Sequence, residues 1–167
     1  MILIAFGGNL PNAQYGSPRE TIEAALDALR ERGVSVLARS RWYSTAPVPS
    51  SDQQRFVNLV AWIDSALPPG ELLALLHDVE EEFGRVRGAR NAARVLDIDL
   101  LDYNGAVCAD WPELPHPRMS ERAFVLVPLR DVAPDWRHLV SGASVDDLIA
   151  AAPDLSGVEL MDKASGP

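Results

Sequence analysis

Val95-Leu96-Asp97-Ile98-Asp99-Leu100-Leu101-Asp102 is the stretch from which the fold of this chain can be read. Aliphatic residues flank both Asp97 and Asp99, so the segment reads as a buried strand, drawn from Val95 to Tyr103. Side chains alternate along a strand. Asp97 and Asp99 therefore share one face, with Cα atoms roughly 6.5–7 Å apart. Two carboxylates side by side in a core repel, and one of them should take up a proton. A divalent cation removes the conflict, and carboxylates that leave positions open for water and phosphate suit Mg²⁺. For so short a motif the competing explanation is one aspartate paired with an arginine and the other facing solvent at a strand end. Asp102 falls on the opposite face by the same alternation and reads as a surface residue.

The segment leading into this strand is Gly84-Arg85-Val86-Arg87-Gly88-Ala89-Arg90-Asn91-Ala92-Ala93-Arg94. Its guanidinium groups are permanently charged and grip phosphate in a bidentate way, and the small residues between them let the loop move. Cations on one side and metal-binding carboxylates on the other match what a polyphosphate needs. A solvated charged loop is the plainer reading. Beyond the strand, Asn104-Gly105 predicts a hairpin returning through Ala106-Val107-Cys108. Leu114-Pro115-His116-Pro117-Arg118-Met119 then holds His116 between prolines, and Arg122 and Phe124 add a cation and an aromatic platform.

Further out, Ile2 to Phe6 is an apolar run that reads as a central strand, not as a secretion signal, because no basic segment precedes it. Ser17, Pro18 and Glu20 form a helix start with a capping box, Ile22, Ala25, Leu26 and Leu29 form its apolar stripe, and Gly33 ends it. Val34 to Ser44 and Phe56 to Asp64 read as strands. In the second, Phe56, Asn58, Val60 and Trp62 share a face, and an amide there must find partners, such as the edge of a heterocycle. Pro68 and Pro69 open a second helix with a stripe of Leu72, Leu76, Val79 and Phe83. Ser120 to Val132 reads as helical turns interrupted near Pro128, and Ser144 with Asp147 caps a last short helix. The expectation is one α+β domain over residues 1–167, with a tail that frays after about residue 153.

Composition narrows the classes. The 167 residues carry a net charge of −9, which disfavours nucleic acid and anionic lipid as partners. No apolar run is long enough to cross a membrane. The single cysteine, Cys108, excludes an internal disulfide and a multi-cysteine metal cage. A cytoplasmic monomer acting on small molecules is the expectation.

Taken together, these segments resemble the 6-hydroxymethyl-7,8-dihydropterin pyrophosphokinase family from Ile4 to about Pro134. The matching pieces are Phe6-Gly7-Gly8-Asn9-Leu10, Tyr43-Ser44-Thr45-Ala46-Pro47, Phe56-Val57-Asn58, Gly84-Arg85, Arg94-Val95-Leu96-Asp97-Ile98-Asp99-Leu100-Leu101, Leu114 to Met119, and Arg122 to Leu129. The resemblance implies a ferredoxin-like fold, a central and mostly antiparallel sheet flanked by helices. It implies transfer of the diphosphate of ATP to the hydroxymethyl group of the pterin, with release of AMP. Asp97 and Asp99 would hold two Mg²⁺ ions and, with Arg85 and Arg94, carry the chemistry. Gly7, Asn9, Thr45, Val48, Phe56, Asn58 and Phe124 would meet the pterin. Glu80, Arg85, Arg87, Arg94, Leu100, His116, Arg118 and Arg122 would meet ATP. The chain departs from the family where Asn91-Ala92-Ala93 stands for Trp-Gly-Pro, Gly8 for a serine, and Pro117 for a tyrosine found in some members. The other readings weighed are a metal-dependent glycosyltransferase and a small-molecule-sensing module.

Overall fold

The computed structural model describes residues 1–161. Ile2, Ile4 and Phe6 of the first strand, β1 (Ile2–Gly8), point to one face of a sheet, and Leu3 and Ala5 to the other. Both faces are buried because helices cover both. On one side lie α1 (Pro18–Glu31) and α2 (Pro69–Glu82), whose stripes Ile22, Leu26, Leu29 and Leu72, Leu76, Val79 pack on Ile4 and Phe6. On the other lie α3 (Ala123–Val132) and α4 (Val145–Ala151), packed on Leu3, Val60 and Leu101.

The remaining strands are β2 (Ser35–Arg39), β3 (Tyr43–Thr45), β4 (Phe56–Asp64), β5 (Asp97–Tyr103) and β6 (Val158–Leu160). They run β5-β1-β4-β3-β6, with β2 also on β4, and every pairing is antiparallel. β1 is therefore an interior strand between β5 and β4, with β4 in the middle, and the α+β, ferredoxin-like expectation holds. Both capping boxes form, Ser17 with Glu20 and Ser144 with Asp147, and Gly33 follows α1 at φ +84°. The stretch read as one strand from Val34 to Ser44 is two, β2 and β3, broken at residues 40–42.

Four further expectations need correction. Asn104 and Gly105 do form a tight turn with positive φ, and Ala106 N–H donates to Tyr103 O at 2.9 Å. No returning strand follows, because β5 pairs with β1 and the chain turns away. Helix α3 is not interrupted: it runs through Pro128, whose missing N–H removes one bond while Val127 and Leu129 stay anchored in the core. Asp102 is not a surface residue. β5 bulges where Leu3 pairs with Asp102 but Ile4 with Leu100, so parity shifts and Asp102 sits among the α3–α4 core at 4 % exposure. There it accepts from Trp136 Nε1 at 2.8 Å and from Gly105 N–H at 3.0 Å.

The tail does not fray where expected. Residues 155–157 make a short 3₁₀ turn and β6 pairs with β3. Arg55 Nη2 donates to Gly157 O at 2.9 Å, as does Ala46 N–H at 3.0 Å. The last six positions of the predicted tail lie outside the described residues.

Candidate active site

Alternation and register build the site at one end of the sheet. Gly7 of β1 stands between Asp97 of β5 and Asn58 of β4, and Ala5 stands opposite Asp99. Small residues are needed there. A Cβ on Gly7 would press on Asn58 Oδ1 at 3.0 Å, and one on Gly8 would meet Val95 O at 2.5 Å. A serine at position 8 would therefore force the end of the arginine loop away from β1.

Two cavities meet over this sheet end. The first, of about 80 Å³, is lined by Thr45, Val48, Phe56, Asn58, Phe124 and Val125 among others, and has apolar and aromatic walls. The second, of about 330 Å³, is lined by Arg85, Arg87, Arg90, Arg118, His116 and Glu80, among others. Asn91, Arg94, Asp97, Asp99 and Arg122 belong to both. Arg122 lies over the Phe124 ring, 5.4 Å from its centre, on the shared wall.

The two aspartates are not equivalent. Asp97 is gripped from both sides: Arg85 Nη1 reaches its Oδ1 at 2.6 Å, and Arg94 Nη1 its Oδ2 at 2.7 Å. Asp99 has no such clamp. His116 Nε2 stands 3.9 Å from its Oδ1, and 32 % of its side chain opens to the cleft. Burial of the carboxyl among the cleft walls, then repulsion from Asp97, pushes it up to about 7. In this state the arrangement combines both readings of Asp-x-Asp: one aspartate is arginine-paired, but the arginines are those of the cationic cleft.

Glu80 is 1 % exposed. Its Oε1 accepts from Ile98 N–H and its Oε2 faces Arg85 Nη1, both at 2.6 Å. Burial pushes its pKa upward and Asp97 adds to this, but with donors on both oxygens the carboxylate is the form that fits. It orients Arg85 more than it lines the cleft. Burial, then Arg122 and Arg118, hold His116 down to about 4, so the ring is neutral. Its Nδ1 accepts from Arg118 N–H at 3.3 Å, which assigns the proton to Nε2, on the side of Asp99.

The structure thus gathers Gly7, Thr45, Val48, Phe56, Asn58 and Phe124 around the apolar cavity, and Glu80, Arg85, Arg87, Arg94, His116, Arg118 and Arg122 around the cationic one. Asn58 Nδ2 is engaged by Thr45 Oγ1 at 2.6 Å. Asn9 and Leu100 line neither cavity. Asn9 is 1 % exposed and ties the end of β1 to Arg94 and to the 53–54 loop, while Leu100 points into the opposite core, under α1 and α2. Asn91 and His77, absent from the expected set, line the cavities. Asn91 has φ +62°, a conformation asparagine tolerates, and no pattern in the sequence set it apart from the rest of the arginine loop.

Among the described residues no three His, Cys, Asp or Glu side chains gather to hold a metal ion on their own. Two carboxylates with room for water and phosphate nonetheless fit Mg²⁺, a hard ion that keeps several non-protein ligands. No helix of the described residues is long and apolar enough to cross a membrane.

Comparison with known proteins is consistent with this geometry. A sequence model of the 7,8-dihydro-6-hydroxymethylpterin-pyrophosphokinase family matches residues 3–134. A Pseudomonas aeruginosa 2-amino-4-hydroxy-6-hydroxymethyldihydropteridine pyrophosphokinase is 43% identical over 166 residues, covering 98% of either chain. A mitochondrial folate synthesis bifunctional protein of Pisum sativum is 34% identical over 93% of this chain, which spans 28% of that protein. A solved Plasmodium falciparum HPPK-DHPS superposes with a TM-score of 0.73 at 13% identity, over 95% of this chain and 47% of that one, a likeness of fold.

Proposed function

Because the chain belongs to the 7,8-dihydro-6-hydroxymethylpterin-pyrophosphokinase family, enzymes of folate synthesis, we propose that it transfers the terminal diphosphate of ATP to the hydroxymethyl group of 6-hydroxymethyl-7,8-dihydropterin. The hydroxyl oxygen would attack the β-phosphorus. The bond between that phosphorus and the oxygen bridging to the α-phosphorus would break, AMP would leave with the bridging oxygen, and the hydroxyl proton would pass to solvent. The observation that carries this reading is the sharing of Asp97, Asp99, Arg94 and Arg122 by an aromatic cavity and a cationic one. A flat heterocycle in the first and a polyphosphate in the second would bring hydroxyl and phosphorus together over the aspartates.

The residues have separable tasks. Phe56 and Phe124 would stack on the pterin, while Asn58, Thr45 and the backbone near Val48 would read its edge. Arg85, Arg94, Arg118 and Arg122 would hold phosphate oxygens, and the Nε2–H of His116 would donate a further hydrogen bond. Phosphate arriving at Arg85 and Arg94 would relieve Asp97 of its two guanidinium partners and free its oxygens. Two Mg²⁺ ions on Asp97 and Asp99 would supply neutralisation of phosphate charge. No strong base is required, since positioning and charge neutralisation dominate phosphoryl transfer.

The test is product analysis by mass spectrometry after mixing protein, ATP, Mg²⁺ and the reduced hydroxymethylpterin. Pterin diphosphate with equimolar AMP is expected. ADP with a pterin monophosphate would make the chain an ordinary kinase and overturn the proposal.

A further inference from the structure

The arginine loop is tethered across the site by one side chain. Gln53, half-buried in the loop between β3 and β4, donates from Nε2 to Asn91 O at 2.9 Å and accepts at Oε1 from Asn9 Nδ2 at 3.2 Å. Asn9 is a fixed post at the end of β1. Its Nδ2 also donates to Gln54 O at 3.0 Å, its Oδ1 accepts from Arg94 N–H at 2.9 Å, and its own N–H donates to Arg94 O at 2.9 Å. Among the described residues, the bond from Gln53 to Asn91 is the one hydrogen bond that joins residues 86–93 to another element. The other link is a loose ion pair from Arg87 to Glu81 at 3.9 Å, between two exposed side chains and worth little. Asn91 itself lines both cavities, and Pro47 and Val48, on the same loop as Gln53, line the aromatic one.

We propose that Gln53 is a positioning residue for the transfer reaction: a latch that fixes the arginine loop to the loop walling the aromatic cavity, so that the cations stand over the aspartates when both cavities are filled. The proposal rests on the function argued above for what the latch is worth in catalysis, but the latch itself can be tested without turnover. The amide is suited to this role because it donates on one side and accepts on the other. A glutamate at this position would keep the acceptor for Asn9 and present an anion to the Asn91 carbonyl, and an alanine would remove both contacts.

The variants are Gln53→Glu and Gln53→Ala, each checked for an unchanged urea unfolding midpoint, since the position lies in a half-exposed loop. The first measurement is the rate of limited trypsin cleavage after Arg87 and Arg90, followed by mass spectrometry of the untreated-length and cut chains. Both variants are expected to be cut roughly tenfold faster than the parent chain, the scale for loss of one local tether. A structural role confined to the 46–55 loop would leave those two cleavages unmoved. The second measurement is steady-state kinetics. kcat is expected to fall about tenfold with either KM within about threefold, because misplacement of the cations affects the transition state more than ground-state binding. Parent-like cleavage rates in both variants would overturn the latch, whatever reaction the enzyme proves to perform. Faster cleavage with unchanged kcat would overturn its role in positioning. Failure of the parent chain to form pterin diphosphate would instead sink the functional assignment and leave the cleavage result standing.

Discussion

Arg94 holds Asp97 at 2.7 Å through its guanidinium while its backbone N–H and C=O are both held by Asn9. The cation that neutralises the first aspartate is thus fixed at its root to the end of β1, while its Nε also donates to Ala92 O at 3.2 Å. Asp99, two residues on, has no comparable partner.

That asymmetry predicts different losses. Asp99→Asn should reduce kcat by on the order of 10³-fold, the scale for removing one charge-organising group at a phosphoryl-transfer site. Asp97→Asn should do the same and also weaken the hold on Arg85 and Arg94. Circular dichroism should show both variants folded. Near-parental turnover in either one would exclude the aspartate pair from the chemistry.

Chelation of divalent cations should abolish turnover and leave the fold intact, with recovery on adding Mg²⁺. Calorimetry of Mg²⁺ with a non-hydrolysable ATP analogue should give much tighter binding than Mg²⁺ alone, because two carboxylates leave most coordination positions to phosphate and water.

In metal-free protein, Asp99 and His116 should tilt stability in opposite senses with pH. The Asp99 carboxyl, raised to about 7 by burial and Asp97 from an ordinary 3.8, keeps a proton in the fold that the unfolded chain has released. Its contribution therefore grows as pH falls through 7. The His116 ring, lowered to about 4 by burial and by Arg122 and Arg118 from an ordinary 6.5, stays neutral where the unfolded ring is protonated. Its contribution is lost as pH falls below 6.5. Relative to the parent, His116→Gln should gain stability on moving from about pH 7.5 to about pH 5.5, and Asp99→Asn should lose it. Urea midpoints at those two values decide the matter.

Phe124→Ala should raise KM for the pterin about tenfold and change KM for ATP little, since one aromatic face contributes roughly 1 kcal/mol beyond its burial. Equal rises for both substrates would show that the ring supports Arg122 instead of the heterocycle.

Asp102→Ala should cost about 1–3 kcal/mol of stability by leaving the buried indole N–H of Trp136 without its acceptor, while the exposed amide of Gly105 can turn to water. Its kcat should match the parent, because Asp102 lines neither cavity. Denaturant titration beside an activity assay separates the two effects.

The sequence by itself determined what neighbouring residues encode. Capping pairs at Ser17–Glu20 and Ser144–Asp147 started their helices, alternation set Asn58 beside Phe56, and Asp97 and Asp99 shared a face over the site. The likeness of several ordered motifs marked the family. Only the tertiary structure decided which guanidinium meets which carboxylate, that Asn9 is a post between loops, and that Leu100 lies in the core. It also decided that a bulge against Leu3 turns Asp102 inward, and that residues 158–160 form an edge strand on β3. The physical reason is range: periodicity and capping act within a few residues, whereas registers, ion pairs and sheet edges join segments tens of residues apart, and no local pattern specifies their partners.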